Sequence, residues 1–209
     1  MSDRADVGEP EAVPAKRRQI LVGARRTFGE LGFERASVDL IAARAGVSKA
    51  TVYHHFEDKQ ALFVACALEE AEAMRAGLRA CLDQPAGDVE QGLQRIGEKV
   101  MRVLLSPAVV GLHRHAIAEA GRFPEVGRTI FDRGPRLTQE LIAAHLERWD
   151  RSGALRIDDP RSAAVQFVAL CQGDLLARAR LAMLEYPADE QVRETVSRAV
   201  RTFVRAYRP

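Results

Sequence analysis

Residues 33–56 read FERASVDLIAARAGVSKATVYHHF, and the order of caps, turn and apolar positions in this stretch decides the fold. Ser37 stands ahead of Val38, Ile41 and Ala42, as a capping residue stands ahead of a short helix with one apolar face. Gly46 stops that helix, because a residue without Cβ enters a turn at little cost. Val47 plugs the corner, and Ser48 caps a second helix that runs to about His55. Val52 and Phe56 then point inward at four-residue spacing. Two short helices joined steeply by a glycine-containing turn form the helix-turn-helix layout. The capped start of the second helix faces outward, which favours a phosphate. Lys49, Ala50, Thr51 and His54 lie on its outer side, and Ala50 is small enough for a close backbone approach. Lys49 is a cation at a helix start, where the dipole disfavours it, so an external anionic partner is expected.

Outward from this stretch the chain continues as helical rods. Ile20, Ala24, Phe28 and Leu31 recur at helical steps over about 15–32, and Gly32 ends that rod. Asp58 caps a long rod from Lys59 to about Leu82. No proline occurs between Ala15 and Gln84, after which Pro85, Pro107, Pro124, Pro135, Pro160 and Pro187 punctuate the sequence. Ser106-Pro107 and Asp159-Pro160 place proline in the first turn of a new helix. The later rods are expected at roughly 88–105, 107–120, 124–132, 135–151, 160–184 and 188–206. Sustained period-two alternation and hairpin turns are absent, so the fold class is all-α. A three-helix helix-turn-helix domain over 14–60 precedes a larger helical domain over 61–209, and the polar, aperiodic residues 1–13 form a disordered tail.

The net charge of +2 is uninformative by itself, but its distribution is not. Residues 15–60 hold nine basic and five acidic side chains, whereas 61–209 hold 21 and 20. A local positive excess fits a polyanionic partner, and equally a solvated helix face. The three cysteines, Cys66, Cys81 and Cys171, are odd in number, lack a CxxC pair and sit among apolar neighbours. They point to core positions in a reducing compartment, with a redox switch as the sharper reading. No apolar run approaches the roughly 20 residues that span a bilayer, and the acidic start is unlike a secretory signal. A cytoplasmic location without membrane attachment is expected. Phosphate-loop and Gly-x-Ser-x-Gly motifs are absent, and His115 with Glu119 offers only two ligands where zinc wants more. Hence no enzyme activity, metal or cofactor is expected.

Residues 15–62 resemble the TetR family of bacterial regulators. The resemblance rests on Phe28, Gly32 and Phe33, on Ile41-Ala42 with Ala45-Gly46-Val47-Ser48, on Thr51-Val52-Tyr53-His54-His55-Phe56, and on Lys59 with Leu62. It implies a homodimer that binds a palindromic double-stranded DNA operator. Lys49, Ala50, Thr51 and His54 would approach the major groove, and Tyr53 and Lys59 would hold phosphates. Ser37 and Ser48 would present helix N-termini to the DNA. Residues 113–171 resemble the AefR-like subgroup, through His113-Arg114, Ala118 to Glu125, Gly134-Pro135-Arg136, Gly153 to Arg156 and Ala163 to Phe167. That resemblance implies a C-terminal domain that binds a small-molecule effector.

Candidate effector contacts are the aromatic residues Phe123, Phe131, Trp149 and Phe167 and the polar residues His113, Arg114, Arg136 and Gln166. The same aromatics also suit a plain core. Ala163, Ala164, Val168 and Leu175, with Val196, Val200 and Phe203, make two stripes that suit a dimer seam or each helix's own core. The reading is a repressor released by a small molecule. The alternative is a helix-turn-helix regulator controlled by a protein partner or by redox.

Overall fold

The computed structural model describes residues 15–82, 88–119, 121, 124–184 and 187–209, so the tail over 1–13 lies outside the described residues. The chain divides into two units, Met1–Phe63 and Val64–Pro209.

In the first unit, α1 (Ala15–Arg35) is kinked at Gly32, and α2 (Val38–Ala45) and α3 (Lys49–His55) follow. The caps form as the residue types dictate. The Ser37 hydroxyl accepts from the amide of Leu40 at 3.2 Å, and Ser48 accepts from that of Thr51 at 3.0 Å. Gly46 has φ 63° and ψ 35°, the left-handed conformation that lets its amide close the end of α2 on the carbonyls of Ala42 and Ala43. A second cap on the end of α2 comes from α1, where Gln19 Nε2 donates to the Ala45 carbonyl at 2.6 Å. Ile20, Leu21, Ala24, Phe28, Ile41, Val52 and Phe56 are buried, the apolar spacing seen in the sequence. Phe63 packs edge-on against Phe28 at 4.8 Å and tilted against Phe33 at 5.0 Å.

Helix α4 (Lys59–Leu82) begins in the first unit, and Asp58 accepts from the Ala61 amide at its start. The second unit continues with α5 (Val89–Leu104), α6 (Pro107–Glu119), α7 (Pro124–Phe131), α8 (Leu137–Arg151), α9 (Pro160–Gln172), α10 (Leu175–Arg180) and α11 (Asp189–Ala206). Among the described residues no strand occurs. Helices α5, α8, α9 and α11 pack on one another around Leu93, Ile96, Ile142, Leu146, Phe167 and Phe203. None of the described helices is long and apolar enough to cross a membrane.

Two rods differ from the sequence reading. The rod expected over 160–184 is cut at Gly173, whose φ of 48° and ψ of −129° no helix allows, and α10 starts two residues later. The rods expected at 124–132 and 135–151 are instead joined by a wide π-helical turn, Asp132–Arg136, that holds Pro135. Proline lacks the amide for a regular helical bond, and the widened turn accommodates that loss without ending the helix.

The stripes expected as a dimer seam face inward. Ala163, Ala164, Val168, Leu175, Val196, Val200 and Phe203 are all buried within their own chain, none more than 8% exposed. Helices this long carry apolar residues to whichever face meets a neighbour, and periodicity alone does not say which neighbour. The outer side of α9 instead exposes Val165, Gln166, Ala169 and Leu170.

Candidate nucleic-acid interface and ligand cavity

Helix α3 is anchored by Val52 and by Phe56 just beyond its end, both buried. That anchoring leaves Lys49, Ala50, Tyr53 and His54 on the opposite, solvent face. Lys49 and Tyr53, and Ala50 and His54, are each one turn apart, so the four form a compact patch. Tyr53 is 47% exposed, more than a packing role requires. Thr51 is only half-exposed, its hydroxyl 2.7 Å from that of Ser48, so it belongs to the cap as much as to the surface.

Two cations have local partners that sequence reasoning did not foresee. The Lys49 ammonium donates to Asp39 at 2.9 Å, and that bond holds its pKa above the usual lysine range. Asp39 sits in the first turn of α2, so the partner of Lys49 in the isolated chain is a neighbouring helix. Both groups are exposed, and such a pair exchanges readily for a phosphate. Lys59 differs more. Its ammonium donates to the carbonyls of Phe33 at 3.0 Å and Ala36 at 3.2 Å and lies 4.2 Å from the centre of the Phe33 ring. A lysine so placed closes the carbonyl-rich end of α1. The sequence signal for Lys59, a basic residue after the helix-turn-helix, is the same for this role as for a phosphate contact.

In the second unit, α4, α5, α6, α7, α8, α9 and α10 line a cavity of about 260 Å³. Val100, Val109, Leu112, Ile130 and Phe131 are among its apolar walls, and His113, Thr138, Gln139, Gln172 and Arg180 are its polar groups. Of the residues expected to contact a ligand, His113 and Phe131 line it. Arg114 is exposed outside it, and Arg136 is an exposed surface residue paired with Asp132 at 3.2 Å. Trp149 is core, edge-on to His145, and Phe167 is core, edge-on to Phe203. Gln166 lies on the outer side of α9, where it accepts from the Tyr207 hydroxyl at 2.6 Å. Phe123 lies outside the described residues.

Sequence reasoning missed Gln139, Gln172 and above all Arg180. Arg180 ends α10, and its guanidinium donates to His113 Nδ1 at 3.0 Å across 67 residues of chain. Arg180 lies beyond the break at Gly173 and meets a residue of another helix, so no local pattern signals the contact.

Burial, and then the Arg180 charge, push the His113 pKa down to about 4. The unfolded chain holds an ordinary histidine, near 6.5. Above pH 6.5 the imidazole is neutral in both states and contributes no pH dependence. Between pH 6.5 and about 4 the unfolded chain takes up a proton that the folded chain refuses, so stability falls as pH falls. The expected loss from His113 is about 3 kcal/mol over that window. Urea titrations at stepped pH check it: His113→Gln should show a shallower loss than the parent, leaving the part due to His145, which burial, Arg148 and Arg95 also push down to about 4. Equal slopes would assign the acid sensitivity to other groups.

Residues 20–66 match the family model for bacterial regulatory proteins of the tetR family, and residues 91–209 match that for the AefR-like transcriptional repressor C-terminal domain. The second match alone covers more than half of the chain. The chain belongs to the TetR family. Over 62 residues this TetR-family protein is 50% identical to an HTH-type transcriptional repressor of Mycobacterium tuberculosis, covering 30% of this chain and 33% of that one. It is 46% identical over 59 residues to the HTH-type transcriptional repressor AcnR of Corynebacterium diphtheriae, covering 28% and 31%. The likeness thus spans about a third of these curated relatives. Among solved structures, a TetR-family regulator of Mesorhizobium loti superposes with a TM-score of 0.84 at 26% identity, over 93% of this chain and 97% of the other. The flavonoid-responsive regulator FrrA superposes with a TM-score of 0.67 at 29% identity, over 94% and 99%.

Proposed function

We propose that this TetR-family protein is a transcriptional repressor that binds a palindromic operator as a homodimer and is released by a small molecule in the C-terminal cavity. The observation that carries the DNA-binding part is the solvent face of α3, where Lys49, Ala50, Tyr53 and His54 stand together beyond a serine-capped helix start. Ala50 lets the backbone approach base edges, His54 reads them, and Lys49 leaves Asp39 for a phosphate. Tyr53 donates to a neighbouring phosphate, and Ser37 and Ser48 keep two helix N-termini aimed at the backbone. Lys59 acts indirectly, by fixing the end of α1 against the reading helices. The domain division follows the same line: residues 14–60 read DNA, and 61–209 sense and dimerise.

The cavity favours a small ligand over a protein partner, and α4 supplies Ala67, Leu68 and Ala71 to its wall. A ligand therefore touches the helix that begins at Lys59, and a shift of α4 reaches the reading head. Ligand and operator then oppose each other reciprocally. Redox control is disfavoured at Cys171, a buried thiol pushed up to about 12 by desolvation. A second copy would pack on the outer side of α9, through Val165, Ala169 and Leu170, since the inner stripes are occupied.

Footprinting on DNA flanking the protein's own gene, at two salt concentrations, tests the reading. A two-fold symmetric protected site that weakens steeply with salt is the expected result. Protection that ignores salt, or none at any flanking site, would sink it.

A further inference from the structure

We propose that the C-terminal cavity takes an organic monoanion, an apolar body ending in one carboxylate, and that Arg180 receives that carboxylate. This rests on reading the cavity as the effector site, and it adds the class of molecule the site selects.

The argument begins with charge. Among the described residues lining the cavity, Arg180 is the one side chain with a fixed charge, and none is an aspartate or glutamate. Arg180 forms no ion pair with any described residue. Its guanidinium has five N–H donors and cannot shed its proton. One terminal nitrogen donates to His113 Nδ1, which must then be the unprotonated ring nitrogen, so His113 is neutral and adds no charge. The Arg180 Nε is buried and has no hydrogen-bond partner. Arg180 is half-buried, and a guanidinium with no ion-pair partner and a buried, unpartnered Nε beside a cavity fits a site whose counter-ion is supplied from outside. Desolvation acts against the guanidinium as it stands, and a bound anion relieves that cost.

The shape of the site sets the rest of the molecule. One cation calls for one negative charge; a pyrophosphate or a dicarboxylate would bury charge with no second cation to meet it. The guanidinium fork matches a carboxylate in two parallel bonds. Val109, Leu112, Val168 and Leu176 are among the other walls of the cavity, and they suit hydrocarbon. The volume of about 260 Å³ equals roughly nine water molecules, enough for a body of about nine or ten non-hydrogen atoms. Gln139 and Gln172 offer uncharged polar contacts for a hydroxyl or carbonyl along that body.

The test uses the full chain and four probes, octanoate, decanoate, dodecanoate and 2-naphthoate, each paired with its primary amide, which keeps the shape and removes the charge. Binding is read by titration calorimetry, and release by displacement from the footprinted DNA is read separately. At least one acid should bind about 30-fold more tightly than its amide, the discrimination expected of a charged hydrogen-bond pair. Arg180→Met should bind that acid and its amide alike, with amide affinity close to the parent's, and Arg180→Lys should recover part of the preference. Should Arg180→Met fail to fold, the acid–amide comparison on the unaltered protein still decides. Amides binding as well as acids, a preference that survives in Arg180→Met, or no binding by either series would overturn the proposal. An acid that binds through Arg180 without releasing DNA upholds the anion site and removes its role as effector site. Amides that release DNA as well as the acids do the reverse.

Discussion

Ala50→Glu should lower operator affinity by at least about a hundredfold while leaving the first unit folded. Ala50 is exposed in the first turn of α3, at the centre of the patch formed with Lys49, Tyr53 and His54. A carboxylate there costs the fold nothing, because an acid near a helix N-terminus is favoured by the dipole by a few tenths of a kcal/mol up to about 1. It also stands beside Lys49, with which it can pair. Against DNA the same group is repelled by the phosphates and, being longer than a methyl, holds the backbone off the base edges. A hundredfold loss corresponds to about 2.7 kcal/mol, within reach of one misplaced charge at a desolvated contact. Gel-shift titration at fixed salt gives the affinity, and circular dichroism melting gives the fold. Operator affinity within threefold of the parent would mean that α3 is not the reading helix. Loss of affinity together with a lowered melting temperature would mean that the residue packs, contrary to its exposure.

The second large effect concerns stability. Gly97→Val should destabilise the C-terminal unit by about 3 kcal/mol or more. A Cβ at Gly97 would stand 2.5 Å from Val196 Cγ1 and 3.0 Å from Cys171 Sγ, and 3.4 Å from the Phe167 ring. Val196, Cys171 and Phe167 are fully buried, on α11 and α9, so none can swing into solvent. Valine adds two further methyl groups to that clash, and it brings a β-branch to a helix interior. Gly77→Ala is the informative contrast. Its Cβ meets only the far end of the flexible Lys99 side chain, at 2.9 Å from Cε, and Lys99 can move. There the gain in helix propensity, about 1 kcal/mol, should prevail. Urea denaturation of both variants checks the pair. A Gly97→Val protein as stable as the parent would show that α5 does not pass so close to α9 and α11.

The two halves of the chain were unequally legible in the sequence, and the reason is physical. In the first unit every signal is local. Ser37, Gly46 and Ser48 act on amides and carbonyls within a few residues, and Ile41, Val52 and Phe56 need only helical spacing to be placed inward. The exposed patch on α3 follows from the buried one, since each residue on a helix has a fixed angular position. What the sequence does not signal there is the partner of each cation within the chain: Asp39 for Lys49, and the end of α1 for Lys59. Both partners come from other helices, and a side chain's reach across a helix–helix contact leaves no periodic trace.

In the second unit the rods were legible and their neighbours were not. Leu93, Ile96, Val168, Val196 and Phe203 announce buried faces, but a buried face fits a partner subunit, a ligand or the chain's own core equally well. Trp149 and Phe167 therefore suit a pocket wall by residue type yet stand in the core, while nothing local marks Gln139, Gln172 and Arg180 as polar groups of the cavity. Arg136 illustrates the converse: an arginine beside Pro135 promised a ligand contact and instead pairs with Asp132 along its own turn.

By itself the sequence determined the all-α class, the helix-turn-helix and its outward face, because capping, turn geometry and helical periodicity act within about one or two turns of chain. Tertiary structure alone decided that α9 breaks at Gly173, that α10 brings Arg180 to His113, and that the seven apolar residues of the two stripes close their own core. Those outcomes depend on which distant surfaces meet, and the free energy of burial is the same whichever apolar partner supplies the contact.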